Sequence, residues 1–323
     1  MNRRGIWADS GIRIRGFGHY YPRQLIHNDL RSLDTMPSSE VDDKILGRIS
    51  VRSRHRADER ETVLVMAVEA AAEAVKRAEV DPAELDLVLL TNWTDRLYAP
   101  EMAPQVAYAI GARRALGFDL CGACTGFVHA VQTAAAYLLS PTALRTALIV
   151  SSERFSRRVR PGSRGELVAG DAAAAAVLER GDPAVPGLLD SVLHSKGEYA
   201  DLTVGQPPDG WVRSRPGLVE QAVQSITETV SELLDRNGLD IADIDWLVPH
   251  SGTAPIFTTI QEKIGIAPEK FVTNFETRAN TSSASIPVVL SENCANGTFR
   301  RGDLFLTPAV GGGWFYGGLL FRL

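Results

Sequence analysis

The sequence predicts an α/β fold built from two similar halves, on two observations. First, strand-like apolar runs alternate with Ala-, Glu- and Leu-rich helical stretches along the 323 residues. Second, the chain echoes itself. "AEVDPAELDLVLL" closes a helix, turns at Asp81 and enters a strand, and "NGLDIADIDWLVP" does the same around Asp240, at an offset of 159 residues. A later pair, "TALIVSSE…AGDAAAAAVLER" and "DLFLTPAVGGGWFYGGLLFRL", repeats strand, Gly-containing bend and strand in the same order. That period is far too long for a solenoid. It divides the chain into residues 1–180 and 181–323, joined by the Pro- and Gly-rich "RGDPAVPG".

Each element follows from local pattern. "GIRIRGFGHYYP" reads as a strand ending in a turn, and "ETVLVMAVEAAAEAVKRAEV" as a helix stopped at Asp81-Pro82. "LDLVLLTN", "ALGFDL", "TALIVSSE" and "AAAAAVLE" are short apolar runs, as buried strands are. "CTGFVHAVQTAAAYLLS" reads as a helix with small residues on most faces.

Composition narrows function. With 45% hydrophobic and 23% charged residues the chain has ample material for a large core. A net charge of −5 argues against nucleic-acid binding. Three cysteines cannot all pair, which favours a reduced, cytoplasmic setting. The arginines near the N-terminus precede no apolar signal segment, and no apolar run reaches the length of a membrane span.

The stretch "DLCGACTGF", residues 119–127, poses the chemical question, because it holds Cys121 and Cys124. A C-x-x-C pair at a strand-to-helix turn is the arrangement of redox proteins, but those domains are small. A structural zinc site needs four ligands, and the remaining Cys294 lies far away. The third reading is a nucleophile, Cys124, next to a helix N-terminus whose unpaired N–H groups and dipole favour the thiolate. Against it stands the plain reading of a small buried side chain. A cysteine nucleophile needs a partner base and an oxyanion site. "WLVPHSGTAP" places His250 at the C-terminal end of a buried strand, where α/β sheets carry their sites. His129, on the Ala-rich helix, reads as a packed histidine. "RANTSSASIP" places Asn280 in a polar turn before a helix, as an amide donor or as an N-cap. Gly311 to Gly313 between two strands can offer N–H groups to an oxyanion, whereas a phosphate loop would need a following Lys-Ser/Thr and helix.

Together "GHYYP", "ACTGF", "WLVPH", "NTSSASIP" and "GGGWFYGG" resemble, in order and over nearly the whole chain, the β-ketoacyl-acyl-carrier-protein synthase III-like family of thiolase-fold condensing enzymes. The resemblance implies a thiolase-like fold of two pseudo-symmetric βαβαβαββ-type halves in a layered α-β-α-β-α core, and a homodimer. It implies that Cys124 carries the acyl group as a thioester. His250 and Asn280 would hold the malonyl thioester carbonyl and stabilise the enolate. The N–H groups of Cys124 and Gly312 would form the oxyanion hole, and Cys121 would be a buried bystander. Substrates would be acyl-CoA or acyl-carrier-protein thioesters, with no further cofactor and no metal.

Three places depart from the family pattern. Lys44 stands where a tryptophan commonly stacks on the coenzyme A adenine, although Arg48, Arg164 and Gly165 match nucleotide-contacting positions. "SGTAP", residues 251–255, replaces the usual basic segment after the histidine. Ala99, before Pro100, stands where a bulky aromatic often reaches the partner's acyl pocket, with Tyr98 adjacent. These departures favour a carrier-bound donor, with the basic run "RFSRRVRPGSR" as a docking candidate or simply a solvated loop. They also leave room for a longer, branched or aromatic acyl group. The alternative activity is acyl transfer to a hydroxyl or amine.

Overall fold

In the computed structural model, residues 5–29, 43–97, 99–141, 143–252 and 254–323 are described, without the side chains of residues 43–45, 254 and 255. The strands are β1 (Ile12–Tyr20), β2 (Gln24–His27), β3 (Ser53–Arg56), β4 (Leu87–Thr91), β5 (Leu116–Leu120), β6 (Thr146–Arg154), β7 (Asp171–Arg180), β8 (Leu188–Ser195), β9 (Thr203–Gly205), β10 (Val212–Ser214), β11 (Trp246–Leu247), β12 (Leu304–Gly311) and β13 (Phe315–Arg322). The helices are α1 (Asp43–Ile49), α2 (Val63–Ala78), α3 (Ala103–Ile110), α4 (Gly126–Leu139), α5 (Leu218–Asn237), α6 (Ala254–Ile264), α7 (Phe275–Arg278) and α8 (Ser285–Ala295).

Two central sheets have matching topology. The first runs β1-β7-β6-β4-β5 and the second β8-β13-β12-β11. In the first, β4 is parallel to β5 and β6, while β6–β7 and β7–β1 are antiparallel. In the second, β11–β12 is parallel, and β12–β13 and β13–β8 are antiparallel. A parallel bridge from Leu247 to Phe271 marks the place of a fifth strand.

The layers follow from what each helix can bury. α4 and α8 share one core with both sheets, since Phe127, Val131, Ile286 and Val289 pack with Leu89 and Ile149 on one side and Phe305 and Phe321 on the other. A helix covered on both faces needs small or apolar residues all round, as the Ala-rich α4 has. α2 and α3 cover the outer face of the first sheet, and α5 and α6 that of the second. The result is the expected α-β-α-β-α stack. With both faces covered, all nine residues of β6 are buried, so these strands read as continuous apolar runs rather than alternating ones.

The echo at Asp81 and Asp240 has a physical cause. Each aspartate opens a single 3₁₀ turn, Pro82–Glu84 and Ile241–Asp243, leading into β4 and β11, which hold corresponding places in the two sheets. Five residues on, a second aspartate ties that strand to its neighbour. Asp86 Oδ2 accepts from the N–H groups of Arg145 at 2.7 Å and Thr146 at 3.1 Å, and Asp245 Oδ2 accepts from Leu304 N–H at 2.8 Å. Asp86→Ala and Asp245→Ala will each lower the urea-unfolding free energy by about 1.5–3 kcal/mol, because a charged acceptor is lost and N–H groups are left unpaired. The loss is larger for Asp86, which serves two donors; equilibrium denaturation with an unchanged m value checks both.

Candidate active site

A cavity of about 430 Å³ opens where the ends of both sheets meet, and Cys124, His250, Asn280, Gly311 and Gly312 all line it. The sequence separates these residues widely; the matched halves bring them together.

Cys124 sits in a 3₁₀ turn, Ala123–Thr125, that runs into α4. Ala123 has a left-handed backbone with φ of 46°, an uncommon conformation for a residue with a Cβ. Thr125 holds the turn by donating through N–H and hydroxyl to Gly122 O, at 3.0 and 2.6 Å. The glycine loop between β12 and β13 presses on this turn. A Cβ at Gly311 would meet Cys124 N at 2.9 Å, so only glycine permits the approach.

Two expectations about the cysteines are corrected. Cys121 is exposed and lines the same cavity, because the turn points it outward. The Cys124 thiol is pushed up to about 12: burial is the dominant cause, the nearby Glu153 carboxylate adds to it, and a Ser282 hydroxyl contact at 3.4 Å opposes it. Cys124 therefore rests as a thiol, and burial outweighs the helix terminus.

His250 follows β11, and its N–H donates to Pro308 O at 2.9 Å. Burial lowers its imidazole to about 4, so it is neutral at physiological pH. Its Nδ1 lies 2.8 Å from Ser285 Oγ, and that hydroxyl in turn donates to Ser282 O at 2.9 Å. With the single hydroxyl proton committed to the carbonyl, Nδ1 carries the imidazole proton and Nε2 offers a lone pair.

Asn280 is held by the first half of the chain. Its N–H donates to Val168 O and its carbonyl accepts from Gly170 N–H, both at 2.9 Å. A Cβ at Gly170 would lie 2.2 Å from Arg278 O, which explains the glycine there. The side-chain Oδ1 accepts from Ser282 N–H at 2.8 Å, so the amide's donor group is left for a ligand. Asn280 is thus not the N-cap of α8, a position held by Ala284.

Several participants escaped the sequence reading. The hydroxyl-rich "TSSAS" after Asn280 is a hydrogen-bonding turn in its own right. Ser283 donates to Glu153 Oε1 at 2.6 Å and Thr94 donates to Oε2 at 2.7 Å. Glu153 is fully buried and burial raises it to about 7, against these hydrogen bonds. Trp93 donates from Nε1 to Ser282 Oγ at 2.7 Å and forms a cavity wall with Phe155, Val159 and Val212. Its signal was an isolated Trp among hydroxyl residues.

Other expected residues fall as follows. Gly165 lines the cavity, and Arg164 beside it is exposed. Arg48 is exposed in the last turn of α1 and does not line the cavity. Ala99 is exposed on the surface, away from the cavity of its own chain. The Lys44 side chain, Tyr98, Thr253 and the side chains of Ala254 and Pro255 lie outside the described residues. His129 is half-buried, packed edge-on against Phe315 at 5.1 Å. In the basic run, Arg157 pairs with Glu59, Arg158 bonds Thr94 O and Arg154 is buried beside Asp95, leaving Arg160 and Arg164 exposed.

Five layers made of two matched halves, with a cysteine turn facing an imidazole and an amide across one cavity, define the class of thiolase-fold condensing enzymes. Residues 118–197 match the model of 3-oxoacyl-[acyl-carrier-protein] synthase III, and residues 234–323 match that of its C-terminal region. The chain is 36% identical to a β-ketoacyl-[acyl-carrier-protein] synthase III of Rhodobacter capsulatus, covering 96% of this chain and 98% of that protein. The structure resembles the 3-oxoacyl-[acyl-carrier-protein] synthase III of Aquifex aeolicus, with a TM-score of 0.91, 31% identity, and coverage of 97% of this chain and 100% of that one. It also resembles the priming β-ketosynthase of the R1128 polyketide pathway, with a TM-score of 0.89, 29% identity, and coverage of 100% and 98%. The chain belongs to the 3-oxoacyl-[acyl-carrier-protein] synthase III family and is a condensing enzyme of the acyltransferase class.

The His250 burial sets a pH signature. Its folded value lies below the unfolded 6.5, so the unfolded chain binds the extra proton between about 4 and 6.5. Stability is lost as pH falls through that window. Relative to His250→Gln, the wild type will lose about 3 kcal/mol on acidification across it, measured by urea denaturation at a series of pH values.

Proposed function

We propose that this chain condenses an acyl thioester with a malonyl thioester carried on acyl carrier protein, by way of an acyl-Cys124 intermediate. The observation that carries the reading is the amide of Asn280, whose Oδ1 is tied to Ser282 so that its N–H₂ is free in the cavity of Cys124 and His250. An enzyme that only transfers acyl groups needs no such donor.

In the first half-reaction the Cys124 thiol attacks the acyl carbonyl as Nε2 of His250 takes its proton. The carbonyl oxygen gathers negative charge against the N–H groups of Cys124 and Gly312. The departing carrier or coenzyme A thiolate takes a proton from solvent, leaving acyl-Cys124 and the thiol proton on His250 Nε2. In the second half-reaction the malonyl thioester carbonyl accepts from Asn280 Nδ2 and from the Nε2–H that His250 has kept from the Cys124 thiol. Its carboxylate leaves as carbon dioxide, and the electron pair of the broken C–C bond becomes an enolate. The enolate carbon attacks the acyl carbonyl and Cys124 leaves as thiolate, giving a 3-oxoacyl thioester, and the proton on His250 Nε2 returns to the sulfur. An apolar cavity favours this path, because loss of a carboxylate charge is easiest where that charge is poorly solvated.

Arg48, Arg164 and Gly165 are assigned to the phosphopantetheine or nucleotide arm, and the exposed Arg160 and Arg164 suit an acidic carrier. The division into halves at residue 180 is supported by the end of β7 at Arg180. A homodimer is supported by the sheet edge at β5, where Leu116 is 49% exposed, and by Tyr108 on α3 at 67%. Ala99 would then reach the partner's acyl pocket. Three free cysteines fit a reducing cytoplasm.

Intact-protein mass after incubation with acyl thioesters tests the first step: wild type gains the acyl mass and Cys124→Ala does not. Asn280→Ala will retain acylation of Cys124 within a few-fold while product formation falls by about 10²–10³. Equal loss of both steps would overturn the role given to Asn280.

A further inference from the structure

The cysteine, imidazole and amide leave one group unexplained: the Ser282 hydroxyl, fully buried against the Cys124 sulfur. We infer that Ser282 is a further catalytic residue, donating a hydrogen bond to the Cys124 sulfur whenever that sulfur bears negative charge, and that Trp93 is the positioning residue that aims it. The inference rests on Cys124 being the nucleophile, as proposed above.

The argument is a count of protons. An indole N–H only donates. At 2.7 Å from Ser282 Oγ, Trp93 Nε1 therefore makes that oxygen an acceptor and prevents the serine proton from pointing back along the same line. The hydroxyl has one proton left to place, and its recorded partner is Cys124 Sγ at 3.4 Å. Ser282 is 0% exposed, so no bulk water competes.

The backbone fixes this direction. Ser282 has φ of 55°, in the left-handed region, and is held there by its N–H bond to Asn280 Oδ1. Trp93 is fixed in turn by its own N–H to Glu153 Oε2 at 3.3 Å and by edge-on packing with Phe155 at 5.7 Å. Glu153 is also bound by Ser283, the next residue in the turn. Trp93 and the turn that carries Ser282 are thus both anchored on one buried carboxylate.

A neutral thiol is a weak acceptor and a thiolate a strong one. The contact therefore contributes little in the resting enzyme and more as charge develops on sulfur, which is the condition for rate acceleration. That charge forms twice per turnover: when the thiol proton passes to His250, and when Cys124 departs from the new C–C bonded product. No other buried hydroxyl is recorded in contact with the sulfur among the described residues.

The test reads Cys124 directly and does not require turnover. On a Cys121→Ala background, iodoacetamide alkylation of Cys124 is followed by peptide mass against pH for Ser282→Ala, Trp93→Phe and the double variant, with thermal melts to confirm folding. Ser282→Ala will alkylate about three- to tenfold more slowly near neutral pH, with its profile displaced to higher pH, since a hydrogen bond to a charged group is lost. Trp93→Phe will move the same way by less, and will add nothing once Ser282 is alanine. An unchanged rate and profile in Ser282→Ala overturns the inference, as does a Trp93→Phe effect that adds in full to it. Should Ser282→Ala fail to fold, an unchanged profile in Trp93→Phe alone overturns it. If wild-type Cys124 shows this behaviour yet accepts no acyl thioester, the proposed function fails and the Ser282 contact stands.

Discussion

The site depends on one constraint: the turn from Asn280 to Ser285 is clamped by the half of the chain that carries the cysteine. Two backbone bonds join Asn280 to Val168 and Gly170, and the bridge from Ala169 continues directly into β7. Within six residues the turn presents an amide, a hydroxyl toward sulfur, a hydroxyl toward a buried carboxylate and a hydroxyl toward an imidazole. Left-handed backbone at Ala279 and Ser282 is the conformational cost of that density. Without the clamp these side chains would belong to a loop, and their directions would be unfixed.

Burial then decides protonation. It raises the Cys124 thiol and lowers the His250 imidazole, so both side chains rest uncharged. A neutral pair in a largely apolar cavity suits chemistry in which charge appears only after substrate arrives. The thiol is quiet toward stray electrophiles, and the imidazole remains a free base well below physiological pH. In the proposed mechanism, stabilisation of the charged states is deferred to fixed donors, the Cys124 and Gly312 N–H groups, the Asn280 amide and the Ser282 hydroxyl, which need little reorganisation.

The fold was legible because its signals repeat. Aspartates 81 and 240 each open a 3₁₀ turn, aspartates 86 and 245 each pin a strand 59 residues further on, and the repeated tasks leave the same letters in both halves. That Cys124, His250 and Asn280 share one cavity could be anticipated because each sits in a short motif at the end of an element. What escaped depends on long-range approach. Trp93 meets Ser282 across 189 positions and Ser283 meets Glu153 across 130, and no local pattern announces either. The exposure of Cys121 escaped for a related reason, since one left-handed residue, Ala123, turns the two cysteines in different directions. The thiol's state was misjudged because a helix terminus is visible in sequence, whereas desolvation is a property of the assembled cavity.

The central claim is that acyl-Cys124 is discharged by carbon–carbon bond formation. The most direct measurement is a single-turnover chase. Enzyme acylated on Cys124 is isolated, mixed with malonyl-carrier protein, and followed for both lost acyl mass and released carbon dioxide. One carbon dioxide per acyl group discharged, with the 3-oxoacyl chain recovered on the carrier, is the result predicted. Discharge without carbon dioxide, to an alcohol, an amine or water, would contradict it.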